Sequence, residues 1–213
     1  SGGGKSTVAN LIARFWDVSE GSVTVGGVDV RELDYADWMK HISIVFQDTN
    51  LFKMSVAENV AMYKPGVSRE EIMEALRQAR CEDILEKLPN GVDSVIGARG
   101  VYLSGGEMQR IALARAILKD APIVLLDEAT AFADAENEYL IQRALDILLH
   151  GKTVLMIAHR LQTIVHADQI IVMQRGGIAE QGTHEELMQR QGVYAKMYHE
   201  YENSVSWKIG GWA

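Results

Sequence analysis

The first seven residues have the composition of a phosphate-binding loop. They read Ser-Gly-Gly-Gly-Lys-Ser-Thr, and glycines accept positive φ angles, so successive N–H groups can turn inward around anionic oxygen atoms. Lys5 adds a point charge for the outer phosphates of a nucleotide, and the Ser6 hydroxyl can bind Mg²⁺. A helix predicted to follow at once would point its positive end at the phosphate. The candidate phosphate-binding residues are Ser1, Gly2, Gly3, Gly4, Lys5, Ser6 and Thr7.

This stretch matches the C-terminal part of the motif G-x-x-x-x-G-K-[ST], whose first glycine would lie upstream of Ser1. The alternative is a flexible Gly/Ser leader before an ordinary helix. Further polar groups of the kind that nucleotide chemistry needs distinguish the two interpretations.

Two carboxylates follow a predicted buried strand. The apolar run Ile-Val-Leu-Leu at 123–126 is typical of a strand covered on both faces, and it ends at Asp127 and Glu128. Asp127 can hold Mg²⁺ through water, and Glu128 can orient or deprotonate an attacking water. Alone, such a pair more often starts a helix. Together with a phosphate loop, the catalytic interpretation is favoured.

Gln47 and His159 also follow predicted strands. Gln47 comes after the β-branched run 42–46, where its amide could contact metal or water. His159 comes after the predicted strand 153–158, where an imidazole could reach a γ-phosphate. Each of them, taken alone, is more often a plain surface or structural side chain.

The elements that must position these groups alternate between strands and helices. This alternation predicts an α/β fold with a mainly parallel sheet, whose ligands bind at the carboxyl ends of the strands. Glycine pairs at 26–27 and 176–177 predict two antiparallel hairpins. Residues of about 53–118 are predicted to form a helical subdomain inserted in the core. We expect one domain over 1–203 and a disordered tail over 204–213.

Composition limits the classes of partner. The chain has 213 residues, of which 47% are hydrophobic and 23% charged, and its net charge is −8. These proportions are typical of a globular domain. The acidic balance disfavours nucleic acid as a partner. With Cys81 as its single cysteine, the chain can form no internal disulfide.

Taken together, the motifs resemble the ATPase module of ATP-binding cassette (ABC) transporters, and the resemblance covers essentially the whole chain. The motifs occur in the family's order and at the expected element boundaries. Ser1 to Thr7 resembles the Walker A loop, Gln47 the Q-loop glutamine, Leu103 to Glu107 the family signature, Ile123 to Glu128 Walker B with its catalytic glutamate, Ala131 to Asp134 the D-loop, and His159 the switch histidine. The resemblance implies a P-loop NTPase (RecA-like) core with a small antiparallel β element.

The resemblance also implies ATP and Mg²⁺ as ligands and a head-to-tail dimer, which we expect to be a homodimer. Ser104, Gly105 and Gly106 of one copy would cover the nucleotide held by the phosphate loop of the other. Glu128 would be the catalytic base, with His159 and Gln47 as sensors, and Ser6, Gln47 and Asp127 would hold the metal. ATP would close the dimer, and hydrolysis would reopen it and drive a membrane-embedded partner.

Two exporter-like segments are similar to the exporter-type branch of the family, the first made of 47–52 and 55–59 and the second of 96–100. We therefore expect a half-transporter fragment whose transmembrane domain lies upstream in the same polypeptide, at the cytoplasmic face of the inner membrane. The aromatic residue that stacks on adenine is also expected upstream. One departure concerns the signature, which ends in Glu107 where glutamine is usual; Ser104-x-x-Glu is also a helix-capping box.

Two other functions remain open at this point. A soluble ABC-type ATPase could act on nucleic acid or the ribosome, but the segment between Gln47 and Ser104 is short and has no sustained heptads, which disfavours the coiled-coil members. A module that binds ATP without cleaving it is the third possibility, and Glu128 and His159 argue against it.

Overall fold

A computed structural model of the chain describes residues 3–46, 49–62, 64–97, 101–127, 135–158 and 160–210. The helices of this part are α1 Lys5–Ile12, α2 Tyr35–Lys40, α3 Val56–Ala61, α4 Arg69–Gln78, α5 Glu82–Lys87, α6 Gly105–Lys119, α7 Ala135–Leu149, α8 His184–Gln189 and α9 Val193–Gly210. Its strands are β1 Thr24–Val25, β2 Val28–Asp29, β3 Ile42–Val45, β4 Met54–Ser55, β5 Val95–Ile96, β6 Ile123–Asp127, β7 Thr153–Ile157, β8 Ile170–Gln174 and β9 Gly177–Gly182. The chain divides into two compact units, one of residues 11–156 and one that joins 1–10 to 157–213.

The larger unit is built on a sheet with the strand order β3-β6-β7. β3 and β6 run parallel, with Ile42 opposite Ile123 and Val45 opposite Leu126. Along β6 the side chains alternate, since Val124 and Leu126 join the larger core while Leu125 joins a second core on the other face. The sheet is therefore covered on both faces, as the uninterrupted apolar run predicts.

Four helices and a short strand pair occupy the segment that the sequence predicts to be a helical subdomain. α4 begins at Ser68 in a capping box, and its apolar face of Ile72, Ala75, Leu76 and the following Ala79 is buried. α6 buries Ile111, Ala114 and Leu118. The antiparallel pair of β4 and β5 was not predicted, because strands of two residues each carry no readable alternation.

The smaller unit contains a hairpin and two helices at its C-terminal end. β8 and β9 pair antiparallel, with Gln174 opposite Gly177. Arg175 and Gly176 make the turn, both at positive φ, so the turn lies one residue before the predicted glycine pair. Thr183 caps α8 in a capping box, and the Glu180 carboxylate accepts bonds from the backbone N–H groups of Val193 and Tyr194 at 2.7 and 2.9 Å.

α9 differs from the expectation for the C-terminal tail. The sequence shows no clear pattern after Asn203, yet the helix continues to Gly210. Its first turns are fixed by Tyr194, which is buried against Leu187 and Ile170. No proline interrupts 193–210, so the helix can propagate from this docked start one bond per residue.

Candidate nucleotide site

The phosphate loop leads directly into α1. Gly4 has φ +92°, in the left-handed region that favours glycine. A Cβ added at Gly3 would lie 3.0 Å from the carbonyl oxygen of Met173 on β8, so the loop also passes close to that strand. Lys5 is half-buried as the first residue of the helix, and Ser6 and Thr7 are exposed beside it. Ser1 and Gly2 lie outside the described residues.

The start of α1 lies where the sequence places the phosphate cradle. The first N–H groups of a helix have no partner within the helix, and the helix dipole adds partial positive charge there. With Lys5 beside them, the exposed start of α1 has the composition of an anion site. The described part of the loop, Gly3 to Thr7, is thus compatible with the predicted phosphate cradle.

Asp127 ends β6 at the carboxyl edge of the sheet, half-buried. Because Val45 pairs with Leu126 in parallel register, the chain leaves β3 and β6 side by side at this edge. Gln47 follows β3 in the sequence, Glu128 follows β6 and His159 follows β7; all three lie outside the described residues, as do Ala131 to Asp134.

The described donors suit Mg²⁺ better than a softer metal. The Ser6 hydroxyl and the Asp127 carboxylate offer hard oxygen atoms, which this ion prefers. Among the described residues, no group of three or more His, Cys, Asp or Glu side chains is arranged to hold a metal ion.

The signature residues form the start of α6. Ser104 is the N-cap, and its Oγ accepts a bond from the Glu107 N–H at 3.2 Å. The Glu107 carboxylate accepts one from the Ser104 N–H at 2.8 Å, which completes the predicted capping box. Burial raises the pKa of Glu107, but this bond and one from Lys87 outweigh it and hold the pKa below its ordinary value. Glu107 is therefore an anion at neutral pH.

Gly106 is required by packing. A Cβ at this position would lie 2.7 Å from both Cβ and Cγ of Asn137 on α7. Carbon atoms of different residues normally approach to about 3.5–4.0 Å. Glycine at position 106 therefore lets the signature end of α6 lie directly against the first turns of α7, a constraint that the motif alone does not reveal.

A buried arginine anchors the same helix to α5. Arg110 is 1% exposed. Its Nη1 and Nη2 donate to the two carboxylate oxygens of Asp83 at 2.6 and 2.9 Å, and Nη1 also donates to the carbonyl of Arg80. Burial raises the pKa of the neighbouring Cys81 thiol far above its usual range, so this cysteine is an inert core residue. Sequence reasoning missed this ion pair, because nothing in the local pattern of α5 or α6 distinguishes Arg110 or Asp83 from an exposed charge.

The two exporter-like segments meet in the structure. β4 pairs with β5, and a Cβ at Gly97, which has φ +90°, would lie 3.0 Å from the carbonyl oxygen of Phe52. The fully buried Asn59 holds the backbone of Phe52 in place: its Nδ2 donates to the Phe52 carbonyl at 3.0 Å, and its Oδ1 accepts from the Phe52 N–H at 2.9 Å. Phe52 and Val95 remain about half exposed on this surface. Residues 98–100 lie outside the described part.

Comparison with known proteins identifies the class of protein to which this chain belongs. The chain overlays on "Structure of a bacterial Atm1-family ABC exporter with ATP bound" with a TM-score of 0.86 and 40% identity, covering 94% of this chain and 35% of that chain. The fold is therefore that of a P-loop NTPase of the ABC type, which confirms the predicted fold class. The profile of the ABC transporter family matches residues 1–131. The chain belongs to the ABC transporter family and corresponds to its ATP-binding domain.

The curated relatives are longer proteins. The chain is 48% identical over 198 residues to the "ATP-dependent lipid A-core flippase" of Legionella pneumophila, covering 93% of this chain and 34% of the relative. It is 51% identical to the "Mycobactin import ATP-binding/permease protein IrtA" of Mycolicibacterium smegmatis, covering 93% of this chain and 23% of the relative. The chain thus spans a third or less of the length of these relatives. They lend no support to the soluble alternative.

In the part of the chain that the structure describes, none of the helices has the length and apolarity needed to cross a membrane.

Proposed function

We propose that this chain is the ATP-hydrolysing motor domain of an exporter-type ABC transporter, comprising residues 1–203 with the helical subdomain of about 53–118 inserted in its core. The observation that carries the proposal is the signature helix start described above. Ser104 caps α6, and Gly106 lies against Asn137 of α7. Ser104, Gly105 and Gly106 are thereby presented together at the positive end of a long helix.

The phosphates of ATP are held by Ser1 to Thr7, with Lys5 as the point charge. Ser6, Gln47 and Asp127 hold Mg²⁺, which when bound neutralises phosphate charge. Glu128 accepts a proton from the attacking water, and His159 and Gln47 sense the terminal phosphate. The described geometry of Gly3, Gly4, Lys5 and Asp127 supports these assignments, since each stands at the start of a helix or the end of a parallel strand.

A second copy of the domain completes the site. Ser104, Gly105 and Gly106 of one copy donate hydrogen bonds to the terminal phosphate that the other copy holds. ATP is therefore bound between the two copies. This chain carries both kinds of surface, and a homodimer is therefore competent. Hydrolysis removes the terminal phosphate that both copies contact, and the copies can then separate.

The transmembrane partner contacts the surface formed by the two exporter-like segments. Asn59 and Gly97 fix the backbone of Phe52 there, and Phe52 and Val95 offer apolar contact area. We propose that the transmembrane domain precedes this domain in the same polypeptide. The domain would then work at the cytoplasmic face of the inner membrane, where dimer closure is coupled to transport.

The base assignment is tested by Glu128→Gln in the intact transporter, with phosphate release measured under saturating ATP and Mg²⁺. Removing a general base that contributes 10²–10⁴-fold predicts a turnover lower by about that factor. Glu20→Gln makes the same chemical change at an exposed carboxylate and serves as the matched control. Turnover of the Glu128 variant within a few-fold of the wild type would contradict the assignment.

A further inference from the structure

Four charged side chains form a continuous network beside the start of α6. Arg110 binds Asp83 in the bidentate pair described above. Lys87 Nζ lies 3.8 Å from Asp83 Oδ2 and 3.1 Å from Glu107 Oε1. Glu107 in turn accepts from the Ser104 N–H. The two cations and two anions balance, and the network joins α5 to the signature end of α6.

Lys87 and Glu107 differ sharply in their exposure. The Glu107 side chain is 14% exposed, with both oxygen atoms engaged, whereas the Lys87 side chain is 67% exposed. The hydrogen bond and the charge of Glu107 raise the pKa of Lys87. A half-sequestered anion thus stands in the first turn of α6, with an exposed cation as its partner.

This anion conflicts with the charge that a phosphate-covering helix start needs. A helix N-terminus carries about half an elementary charge, and a carboxylate in the first turn offsets it. A glutamine would cap Ser104 equally well without a charge. The helix start that bears Glu107 would therefore attract a phosphate weakly unless a cation nearby restores the balance.

We propose that Lys87 is a positioning residue of the lid: by neutralising Glu107, it allows the start of α6 to close on the terminal phosphate of ATP bound to the second copy. The inference rests on the proposed function, because it takes Ser104 to Gly106 as the cover of that phosphate. It assigns to α5 a role in nucleotide affinity that the signature motif does not contain.

The proposal predicts a dependence of one residue on the other. Lys87→Met should raise the apparent KM for ATP about three- to tenfold and leave kcat at saturating ATP unchanged. This factor lies within the range expected for one charge at a partly buried helix end. Glu107→Gln removes the charge that Lys87 neutralises and keeps the cap. The double variant K87M/E107Q should therefore return to within about twofold of the wild-type KM, and Lys87→Arg should retain it.

The experiment measures ATP turnover against ATP concentration in the intact transporter for these four variants. Lys40→Met is the matched control, since Lys40 also pairs with a carboxylate, Asp37, at 2.6 Å, and is 73% exposed on α2; it should leave KM unchanged. A purely structural role predicts that Glu107→Gln, which also removes the ion pair, raises KM as Lys87→Met does. That result, or a wild-type KM for Lys87→Met, overturns the inference.

Failure of the inference is distinguishable from failure of the proposed function. If the wild-type transporter hydrolyses ATP with a normal dependence on Mg²⁺ while Lys87→Met shows no change, only the role of Lys87 is refuted. If the wild type shows no ATP turnover, the proposed function is refuted, and the role of Lys87 with it.

Discussion

Replacing Arg110 by methionine should destabilise the larger unit through the loss of one buried ion pair. The guanidinium is almost fully buried, and it bonds both Asp83 oxygens and the Arg80 carbonyl. Breaking a buried pair by removing one partner costs about 3–5 kcal/mol. The Asp83 side chain is 45% exposed, so water can solvate the carboxylate left behind, and we expect a loss at or just below the lower limit of this range, about 2–3 kcal/mol.

This loss is large enough to measure by calorimetry. For a domain of this size, about 1 kcal/mol corresponds to roughly 2–4 °C in Tm, so Arg110→Met should lower Tm by about 4–12 °C. Arg69 provides a matched control, because it makes the same bidentate pair with Asp93, at 2.9 and 2.8 Å, with both side chains more than half exposed. Arg69→Met should cost at most about 1 kcal/mol. Equal losses for the two variants would refute the argument from burial.

Two further predictions concern the same helix and its caps. Gly106→Ala places a carbon atom 2.7 Å from Asn137. Overpacking of this kind costs about 1–3 kcal/mol, whereas the higher helix propensity of alanine contributes about 1 kcal/mol. Tm should therefore fall by a few degrees, and adding Asn137→Gly should restore part of the lost Tm. Recovery of neither Tm nor activity in the double variant would argue against the contact. Hydrogen bonds from the backbone N–H groups of the N-cap residues lower the pKa of Glu58 and of Glu71. The pKa of Glu107 is also lowered in this way, although burial of its side chain acts to raise it. A carboxyl group whose pKa is lowered on folding stabilises the folded protein at pH values above its pKa in the unfolded chain, which is about 4.3 for Glu. This contribution is lost as the pH falls through the lower pKa of the folded state. Tm should stay constant from pH 7 to about 5 and then decline, and the decline should be less steep in the variant with glutamine at positions 58, 71 and 107. An identical decline in that triple variant would contradict the role given to these three carboxylates.

The sequence predicts the local features of the fold and the order of its motifs. The apolar run at 123–126 predicts a strand buried on both faces, because both cores need its side chains. Ser68, Ser104 and Thr183 each begin a helix through a capping box that four adjacent letters specify. These features can be predicted from the sequence because the residues that determine each helix start or strand lie within a few positions of it.

What the sequence does not predict depends on contacts between distant residues. Arg110 and Asp83 are on different helices, and nothing in either segment names the other as its partner. The requirement for glycine at position 106 comes from Asn137 on α7, and the pairing of β4 with β5 comes from tertiary packing. The length of α9 likewise follows from its docked first turns, which the pattern after Asn203 does not contain.

The central claim is that ATP joins two copies of this domain through the start of α6. Its most direct test is the mass of the ATP-binding domain carrying Glu128→Gln, measured by sedimentation with and without ATP and Mg²⁺. We predict a monomer without ATP and a dimer with it, and the dimer should be lost when Ser104→Ala removes the cap. A mass that does not respond to ATP would contradict the account.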